Sequence, residues 1–461
     1  MLEVLKNIST AVWGSPLLIL ILSVGIFLSI KTGFAQIRLF PKALRRFLRQ
    51  FKGEANEDGV SSYQALCTAL AATVGTGNLA GVAGAIAIGG PGAIFWMWVC
   101  AFFGMVIKFA EATLAVRFRQ RNEHGEYVGG PMYMICNGLG KKWRPMAYVY
   151  CFFGVVASFG VGNATQINTL VGSVNTTVKV AGGASSIYGN VFIGLVLAVL
   201  VWYLLSGGAV RIGRIAEKLI PFVSVGYILL CVVVLIVCFN AIPGALHSIF
   251  YGAFSPRAVT GGVIGTMLTA VRIGASRGVF TNEAGMGTAA IAHASGNVKD
   301  PTDQGLMGII EVFIDTMLIC TLTALVILCA PINIDYGFDT GIALTIKAFS
   351  SVYGGWVSFP ITIALCALAI ATILGWGLYG ARCAQFLFGD GVWKKFVYFQ
   401  VGMVVIGAVV PTDTVWLFAD IVNGLMAIPN LIALILLSEH LRDMLNPSLE
   451  SHQNARRREL K

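Results

Sequence analysis

Val74-Gly75-Thr76-Gly77-Asn78 interrupts an otherwise apolar run that extends from Tyr63 to Ile88. Glycine, threonine and asparagine are costly in a lipid bilayer, because hydrocarbon offers no water to satisfy loosened backbone groups. A helix that breaks at membrane depth is stable only where it is buried in protein or lines a cavity. Transporters build binding sites from such breaks. We therefore predict a broken transmembrane helix beside a central cavity.

The composition places this break in a membrane protein. Of 461 residues, 57% are hydrophobic and 12% are charged, whereas soluble domains carry about 25% charged residues. The 54 glycines suit closely packed and broken helices. Most of the ten cysteines lie in apolar runs, and we interpret them as packing residues rather than as disulfides or metal ligands. The sequence thus predicts an all-α polytopic membrane protein without a long soluble domain.

Basic residues are distributed unevenly along the chain. The net charge of +10 could indicate nucleic-acid binding, but 25 of the 32 Lys and Arg residues fall on one side of an eleven-span arrangement. They occupy 31–52, 117–144, 211–218, 299, 382–395 and the segment from 442 onward. Cytoplasmic loops carry such an excess. The N-terminus is therefore predicted to lie outside the cell and the C-terminus in the cytoplasm.

Hydropathy predicts eleven transmembrane helices. The first is 15–30, and the others are 63–88, 92–116, 145–171, 188–206, 215–240, 258–293, 304–330, 355–386, 395–411 and 414–438. Segment 34–51 has apolar residues at helical spacing between arginines, which predicts a helix along the membrane surface or an ordinary loop helix. Segment 258–293 contains Arg272-Ile-Gly-Ala-Ser-Arg-Gly-Val-Phe-Thr-Asn-Glu-Ala-Gly285, which is too polar and glycine-rich for a continuous span. We therefore predict a second break in this stretch and place it at Arg272–Gly278.

Breaks in the first and sixth of the last ten segments are typical of two inverted five-helix repeats. An odd number of spans places the start of the second repeat on the opposite side of the membrane. We therefore predict five regions: an extra helix in 1–33, a basic amphipathic segment in 34–62, repeats in 63–240 and 258–438, and a basic tail in 439–461.

Four motifs carry a resemblance to the alanine or glycine:cation symporter family. They are Gly75-Thr-Gly-Asn78, Gly89-Gly-Pro-Gly-Ala-Ile-Phe-Trp-Met-Trp-Val-Cys-Ala-Phe-Phe-Gly104, Lys108-Phe-Ala-Glu111 and Arg277-Gly-Val-Phe-Thr-Asn-Glu-Ala-Gly-Met286. The resemblance implies sodium-coupled uptake of alanine or glycine across a bacterial or archaeal cytoplasmic (inner) membrane. It also implies the fold of the bacterial leucine transporter, with five-plus-five inverted repeats. Sodium is then a co-transported ligand, and no other cofactor is expected.

An amino acid presents two charged ends to its site. Amides at a half-helix N-terminus suit the carboxylate, and Gly75, Thr76 and Gly77 are the candidates. Carbonyls freed at the second break suit the ammonium, and the candidates there are Ile273, Gly274 and Ala275. The alternative is that these small residues only let helices pack closely.

The resemblance also implies where sodium would bind. One site would use the carbonyls of Ala71, Val74 and Leu368 with the side chain of Thr372. A second position would use Thr73, also counted among the substrate-binding residues, and Asn78.

Two side chains at membrane depth are further substrate-binding candidates. A glutamine there is expensive unless it has a polar partner, so Gln166 either hydrogen bonds to substrate or packs against Asn163 or Thr165. Trp376 follows Thr372 by one helical turn and shares its face. Its indole either limits the size of a pocket or belongs to an interfacial belt.

Acidic residues in the apolar segments leave the coupling ion open. Lys108 and Glu111 are expected to pair with each other, and Glu283 with an arginine as a gate. Asp315 and Asp420 are lone acids without an assigned role. If protons replaced sodium, one of these four acids would carry them. A channel or a sensor is the remaining alternative, and no motif indicates an enzyme.

Overall fold

The computed structural model describes residues 2–13, 15–51, 60–180, 182–255, 258–260, 263–265, 267–338, 341–410 and 412–445. These residues are almost entirely helical. The helices up to the middle of the chain are α1 (Leu2–Val12), α2 (Ser15–Lys31), α3 (Ala35–Arg38), α4 (Phe40–Phe51), α5 (Ser62–Thr73), α6 (Val82–Gly89), α7 (Gly92–Arg117), α8 (Pro131–Tyr133), α9 (Arg144–Phe159), α10 (Thr165–Val180), α11 (Ile187–Leu205) and α12 (Gly208–Val237).

The second half continues in the same manner. Its helices are α13 (Ile242–Phe254), α14 (Met267–Asn282), α15 (Thr288–Ser295), α16 (Pro301–Val312), α17 (Thr321–Cys329), α18 (Ile342–Tyr353), α19 (Ser358–Phe388), α20 (Trp393–Val409), α21 (Thr412–Leu436) and α22 (Ser438–Leu445). Two antiparallel hairpins join strands β1 (Gln120–Arg121) to β2 (Tyr127–Val128) and β3 (Ala258–Thr260) to β4 (Val263–Gly265).

The chain is a multi-pass membrane protein. Within the described part, seven continuous helical segments are long and apolar enough to cross a membrane, and two bent helix pairs raise that number to nine. Pro16–Lys31 and Ile342–Tyr353 are shorter apolar helices. The predicted total of eleven spans and the inverted repeats stay predictions. Residues 446–461 of the predicted basic tail lie outside the described residues.

The first break lies where the sequence predicts it. Helix α5 ends at Thr73, and Val74 is extended, with φ −76° and ψ 97°. A π-helical turn over Gly77–Gly81 then leads into α6. The axes of the two half-helices differ by 49°. Loosened backbone therefore occurs within an apolar, buried segment, as the Gly-Thr-Gly-Asn sequence indicates.

The second break lies at the end of the predicted stretch, about ten residues after Ile273–Ala275. Helix α14 runs without interruption through Ile273, Gly274 and Ala275, so the expectation that a break frees their carbonyls is wrong. The chain departs from helix at Glu283, with φ 54°, and at two glycines with φ between 75° and 93° before α15 begins. Glycine adopts such backbone without a steric penalty.

Close packing explains the small residues that misled the prediction. A Cβ atom added to Gly274 would lie 2.2 Å from the Ala93 carbonyl oxygen on α7. At the start of α7, a Cβ atom on Gly92 would lie 2.2 Å from the Gly252 carbonyl carbon on α13. Small residues let membrane helices approach closely. Gly274 therefore lets α14 pack closely on α7.

Candidate functional site

A small cavity lies between the two breaks. Its walls come from the first break with the end of α5, from the end of α14, from α19, and from the start of α10 with the turn before it. They consist of Ala72, Thr73, Gly75, Thr76, Gly77, Val161, Gln166, Phe280, Thr281, Glu283, Thr372 and Trp376. The free volume is about 10 Å³, room for about one water molecule. Because the walls nearly touch, a bound molecule has to be small and has to displace them.

Backbone amides of the first break face this cavity only in part. The Gly75 N–H already donates to Asn78 Oδ1 at 2.8 Å. It is therefore not directed at a ligand in this arrangement, contrary to the expectation from sequence. Thr76 and Gly77 remain at the start of the second half-helix, and a Cβ atom on Gly77 would lie 3.3 Å from Thr281 Oγ1. Backbone at Gly77 therefore approaches the opposite wall closely.

Gln166 reaches across to the first break. Its Oε1 accepts from the Thr76 hydroxyl at 3.1 Å, and its Nε2 donates to the Val161 carbonyl at 3.2 Å. Asn163 instead donates to the backbone and the side chain of Gln400. Gln166 thus forms its interhelical hydrogen bond with Thr76, rather than with Asn163 or Thr165, and it lines the cavity.

Helix α19 supplies the opposite wall through Thr372 and Trp376. Gly375, between them, lets α19 lie against the end of α5, since a Cβ atom there would be 2.8 Å from Ala72 Cβ. A Cβ atom on Gly162 would lie 2.1 Å from Trp376 Cβ, so only glycine leaves room for the indole. Trp376 is buried deep in the protein, which excludes an interfacial position for it.

Glu283 supplies the carboxylate that lines the cavity. The expectation from sequence was that Glu283 pairs with an arginine and acts as a gate. Its Oε1 accepts from Trp376 Nε1 at 2.8 Å, and its Oε2 accepts from Thr288 Oγ1 at 2.6 Å. Both partners are neutral, so the predicted pairing with an arginine is wrong. The signal that could have found this role is the position of Glu283 beside Gly285 and Gly287, where the backbone leaves the helix.

Glu111 holds the second break in place. Its Oε1 accepts from the amides of Gly285 and Gly287 at 3.0 Å each and from Asn430 Nδ2 at 2.7 Å. Asn430 also donates to the Gly285 carbonyl at 2.9 Å. Loosened backbone groups are thus satisfied by a buried carboxylate and an amide, as a break in a membrane requires.

Lys108 pairs with a residue that the sequence analysis did not select. Its Nζ lies 2.9 Å from Glu311 Oε1, and both side chains are buried. The other oxygen of Glu311 lies 2.9 Å from Nε2 of His293. The second ring nitrogen of His293, Nδ1, lies 2.7 Å from Gln304 Nε2. The expected pairing of Lys108 with Glu111 is therefore wrong. An acid within the predicted span 304–330 was the available signal for Glu311.

Asp315 is buried next to the first break. Asn78 Nδ2 donates to its Oδ1 at 2.7 Å, and Thr316 Oγ1 donates to its Oδ2 at 2.7 Å. Asn78 thereby links Asp315 to the amide of Gly75. The side chain of Asp420 lies outside the described residues.

Carboxyl groups outnumber basic side chains around the two breaks. Among the described residues there, Glu111, Glu283, Glu311 and Asp315 are buried carboxyl groups, and Lys108 and His293 are buried basic side chains. A charged group at membrane depth is costly unless it is paired. A bound cation would therefore find carboxyl partners in this interior.

The predicted sodium ligands belong to α5, to the first break and to α19, and α19 packs against the end of α5. Thr372 Oγ1 donates to the Leu368 carbonyl at 3.0 Å, which leaves the hydroxyl lone pairs available. A Cβ atom on Gly75 would lie 2.7 Å from Thr372 Oγ1. The residues of the expected site, Ala71, Val74, Leu368 and Thr372, are all buried.

A second cavity, of about 190 Å³, lies at the end of the molecule that carries the basic loops. Arg382 of α19 donates to Glu126 Oε2 at 2.7 Å across it, and Glu126 belongs to the β1–β2 hairpin. Partial burial opposes ionisation of Glu126, but the hydrogen bond and charge of Arg382 outweigh it and hold the pKa of Glu126 below its ordinary value. The pair is therefore charged at neutral pH.

Comparison with known proteins places the chain among transporters. The family model "Sodium:alanine symporter family" matches residues 1–461. The sodium/alanine symporter AgcS of Methanococcus maripaludis is 40% identical over 445 residues, which is 95% of this chain and 94% of AgcS. The probable sodium/glutamine symporter GlnT of Bacillus subtilis is 36% identical, and the match covers 93% of this chain and 86% of GlnT.

A solved structure shares the fold. MhsT, solved in complex with L-phenylalanine, superposes with a TM-score of 0.60 at 15% sequence identity. The match covers 83% of this chain and 90% of MhsT. At that identity, the likeness shows a shared fold alone.

Proposed function

The chain belongs to the sodium:alanine symporter family, and on that premise we propose that it carries alanine or glycine with sodium into the cell by alternating access. The chain is a sodium-coupled amino-acid symporter and not an enzyme. One observation carries the more specific proposal. The small cavity between the two breaks combines half-helix amides, a buried carboxylate and a tryptophan wall.

The cavity offers a partner to each end of a small amino acid. Amides at Thr76 and Gly77 would bind the carboxylate, because they lie at a half-helix N-terminus. The carboxylate of Glu283 would face the ammonium and compensate its charge. Gln166 and Thr73 would hydrogen bond to the ligand, and Trp376 would limit its side chain to about the size of a methyl group.

Sodium would bind beside the substrate where α5 meets α19. The carbonyls of Ala71, Val74 and Leu368 and the Thr372 hydroxyl are hard oxygen ligands of the kind that unwound helices offer to sodium. A second ion would use Thr73 and Asn78, close to Asp315. Both ions would offset the negative charge of the interior.

Alternating access would follow from the two proposed repeats, 63–240 and 258–438. The N-terminus would lie outside and the basic loops in the cytoplasm. The Glu126–Arg382 pair would then close the cytoplasmic end of the path, since it spans a cavity between the β1–β2 hairpin and α19. Release of substrate into the cell would require this pair to separate.

Uptake by proteoliposomes tests the function. Labelled alanine and glycine should accumulate when sodium is higher outside, and a potassium gradient of equal size should not replace it. Equal uptake with and without a sodium gradient would contradict the coupling. Currents far above carrier turnover, without accumulation, would identify a channel instead.

Proton coupling is the second candidate, and the environment of Asp315 favours it. A buried carboxyl group whose hydrogen-bond partners are the neutral side chains of Asn78 and Thr316 can be accommodated by taking up a proton. Accumulation driven by a pH gradient in sodium-free buffer, and lost in Asp315→Asn, would support it. Absence of such accumulation would exclude it.

Trp376→Ala should enlarge the range of substrates. Removal of the indole opens the wall against Val161 and Gln166, so amino acids larger than alanine should compete for uptake. Competition by a panel of amino acids measures the change. Trp376→Phe is the matched control, because it keeps an apolar ring and removes the N–H that donates to Glu283. An unchanged profile in Trp376→Ala would assign the indole to packing.

Reversing either charge of the Glu126–Arg382 pair should lower sodium-driven uptake about tenfold or more, because either reversal places two like charges next to each other. The double variant Glu126→Arg/Arg382→Glu should recover a measurable part of it. The exposed pair Lys31–Glu439 provides the control, and its reversal should have little effect. A double variant no better than the single ones would contradict a role for the pair in closure.

A further inference from the structure

Helix α4 has three distinct faces, and the proposed transport path uses none of them. The buried face contains Ala43 and two aromatic residues. Phe40 packs on Phe313 with ring centroids 4.9 Å apart, and Phe47 packs on Tyr63 at 6.4 Å. These contacts hold α4 against α5, which precedes the first break, and against the end of α16, which follows the second break.

The exposed faces of α4 are apolar on one side and basic on the other. Leu44 and Leu48 are 39% and 52% exposed. Lys42, Arg45 and Arg49 are exposed as well, at positions i, i+3 and i+7, which form one stripe along a helix. A helix with adjacent apolar and basic faces lies in the plane of a membrane interface.

The basic stripe borders an open groove of about 500 Å³. Its lining consists of Arg38, Pro41, Lys42, Arg45, Arg46, Arg49 and Gln50. Arg46 forms an ion pair with Asp303 at 2.9 Å, and its Nε is buried without a hydrogen-bond partner among the described residues. Gln50 Oε1 is likewise buried without a partner there. The groove thus combines four exposed cations with unsatisfied polar atoms.

We propose that this groove binds the phosphate headgroup of an anionic phospholipid of the cytoplasmic leaflet, with Leu44 and Leu48 against the acyl chains. Charge complementarity supports the choice, because residues 31–52 contain seven Lys and Arg and no acidic residue. Clusters of this size beside transmembrane helices recognise anionic lipid. The site goes beyond the proposed transport function and does not depend on the identity of the substrate.

The test compares thermal unfolding of the full-length protein in detergent with added phosphatidylglycerol or phosphatidylcholine of the same acyl chains. Phosphatidylglycerol should raise the unfolding midpoint, and phosphatidylcholine and inorganic phosphate should not. In Lys42→Gln/Arg45→Gln/Arg49→Gln the lipid affinity should fall about a hundredfold, at about fivefold for each cation near the surface. High salt should reduce the wild-type response.

Two control variants change charges outside α4. Lys141→Gln/Lys142→Gln/Arg144→Gln removes three exposed charges outside α4 and should retain the full response. Glu54→Gln/Glu57→Gln/Asp58→Asn neutralises the acids that follow α4 in sequence and should leave it intact. A full response in the α4 variant would overturn the proposal, as would equal responses to the two lipids or to inorganic phosphate. A response that arises only after the acids are neutralised would overturn it too.

Discussion

Gly77→Val should abolish saturable substrate binding while the protein still inserts and purifies as a monodisperse species. A Cβ atom at this position already lies 3.3 Å from Thr281 Oγ1, and the valine methyl groups extend further into a cavity of about 10 Å³. Overpacking alone costs about 1–3 kcal/mol, and here the added groups also occupy the proposed place of the substrate carboxylate. Binding calorimetry with alanine and glycine in sodium measures the loss.

Gly172→Val is the matched control for that experiment. Gly172 also lies in a helix, α10, but a Cβ atom there has no neighbour within 4 Å. The control should bind like the wild type. If Gly77→Val binds alanine normally, the backbone at Gly77 does not approach the substrate, and the proposed carboxylate site is wrong.

Glu283→Gln should lower the affinity for a zwitterionic amino acid by about thirtyfold to several thousandfold. Loss of one partner from a buried, hydrogen-bonded charge pair costs about 2–5 kcal/mol. Glutamine has nearly the same shape and keeps an oxygen that accepts from Trp376 Nε1, so the wall of the cavity should survive. A loss of binding with intact folding would therefore report the missing charge.

Two further measurements separate this charge effect from a structural one. Thr288→Val removes the hydroxyl that donates to Glu283 Oε2 but keeps the carboxylate, so its affinity should fall far less. Propionate, which lacks the ammonium, should compete no worse in Glu283→Gln than in the wild type. If Glu283→Gln bound alanine with wild-type affinity, other groups of the cavity would have to bind the ammonium, and the proposed role of Glu283 would be wrong.

The sequence predicted the first break well because the anomaly there is local. Glycine, threonine and asparagine in four consecutive positions, 75–78, conflict with the surrounding apolar run, whichever helices pack against it. Gln166 was selected for the same kind of reason, as a polar side chain at membrane depth, whereas Thr372 came from the family resemblance and Trp376 from its place one helical turn after Thr372. The structure brings all three to the walls of one cavity with the first break.

The second break shows where such reasoning fails. Arg272–Gly278 looked polar and loose, yet it is regular helix, because Gly274 and Gly278 let α14 lie directly on α7. The true break follows at Glu283 and depends on Glu111 and Asn430, which come from distant parts of the chain. A glycine that permits close packing and a glycine that permits a turn are the same letter in a sequence.

Hydropathy and residue type along the chain were enough to predict a membrane protein and the place of the first break, and the motifs were enough to indicate the family. None of these three predictions needs knowledge of contacts. The partners of the buried charges, in contrast, became known from the folded structure. In the structure, Lys108 forms an ion pair with Glu311, Glu283 accepts a hydrogen bond from Trp376, and Asn78 accepts one from the Gly75 amide. A buried charge is stabilised by whatever group lies a few ångströms away, and in a helical bundle that neighbour is usually distant in sequence.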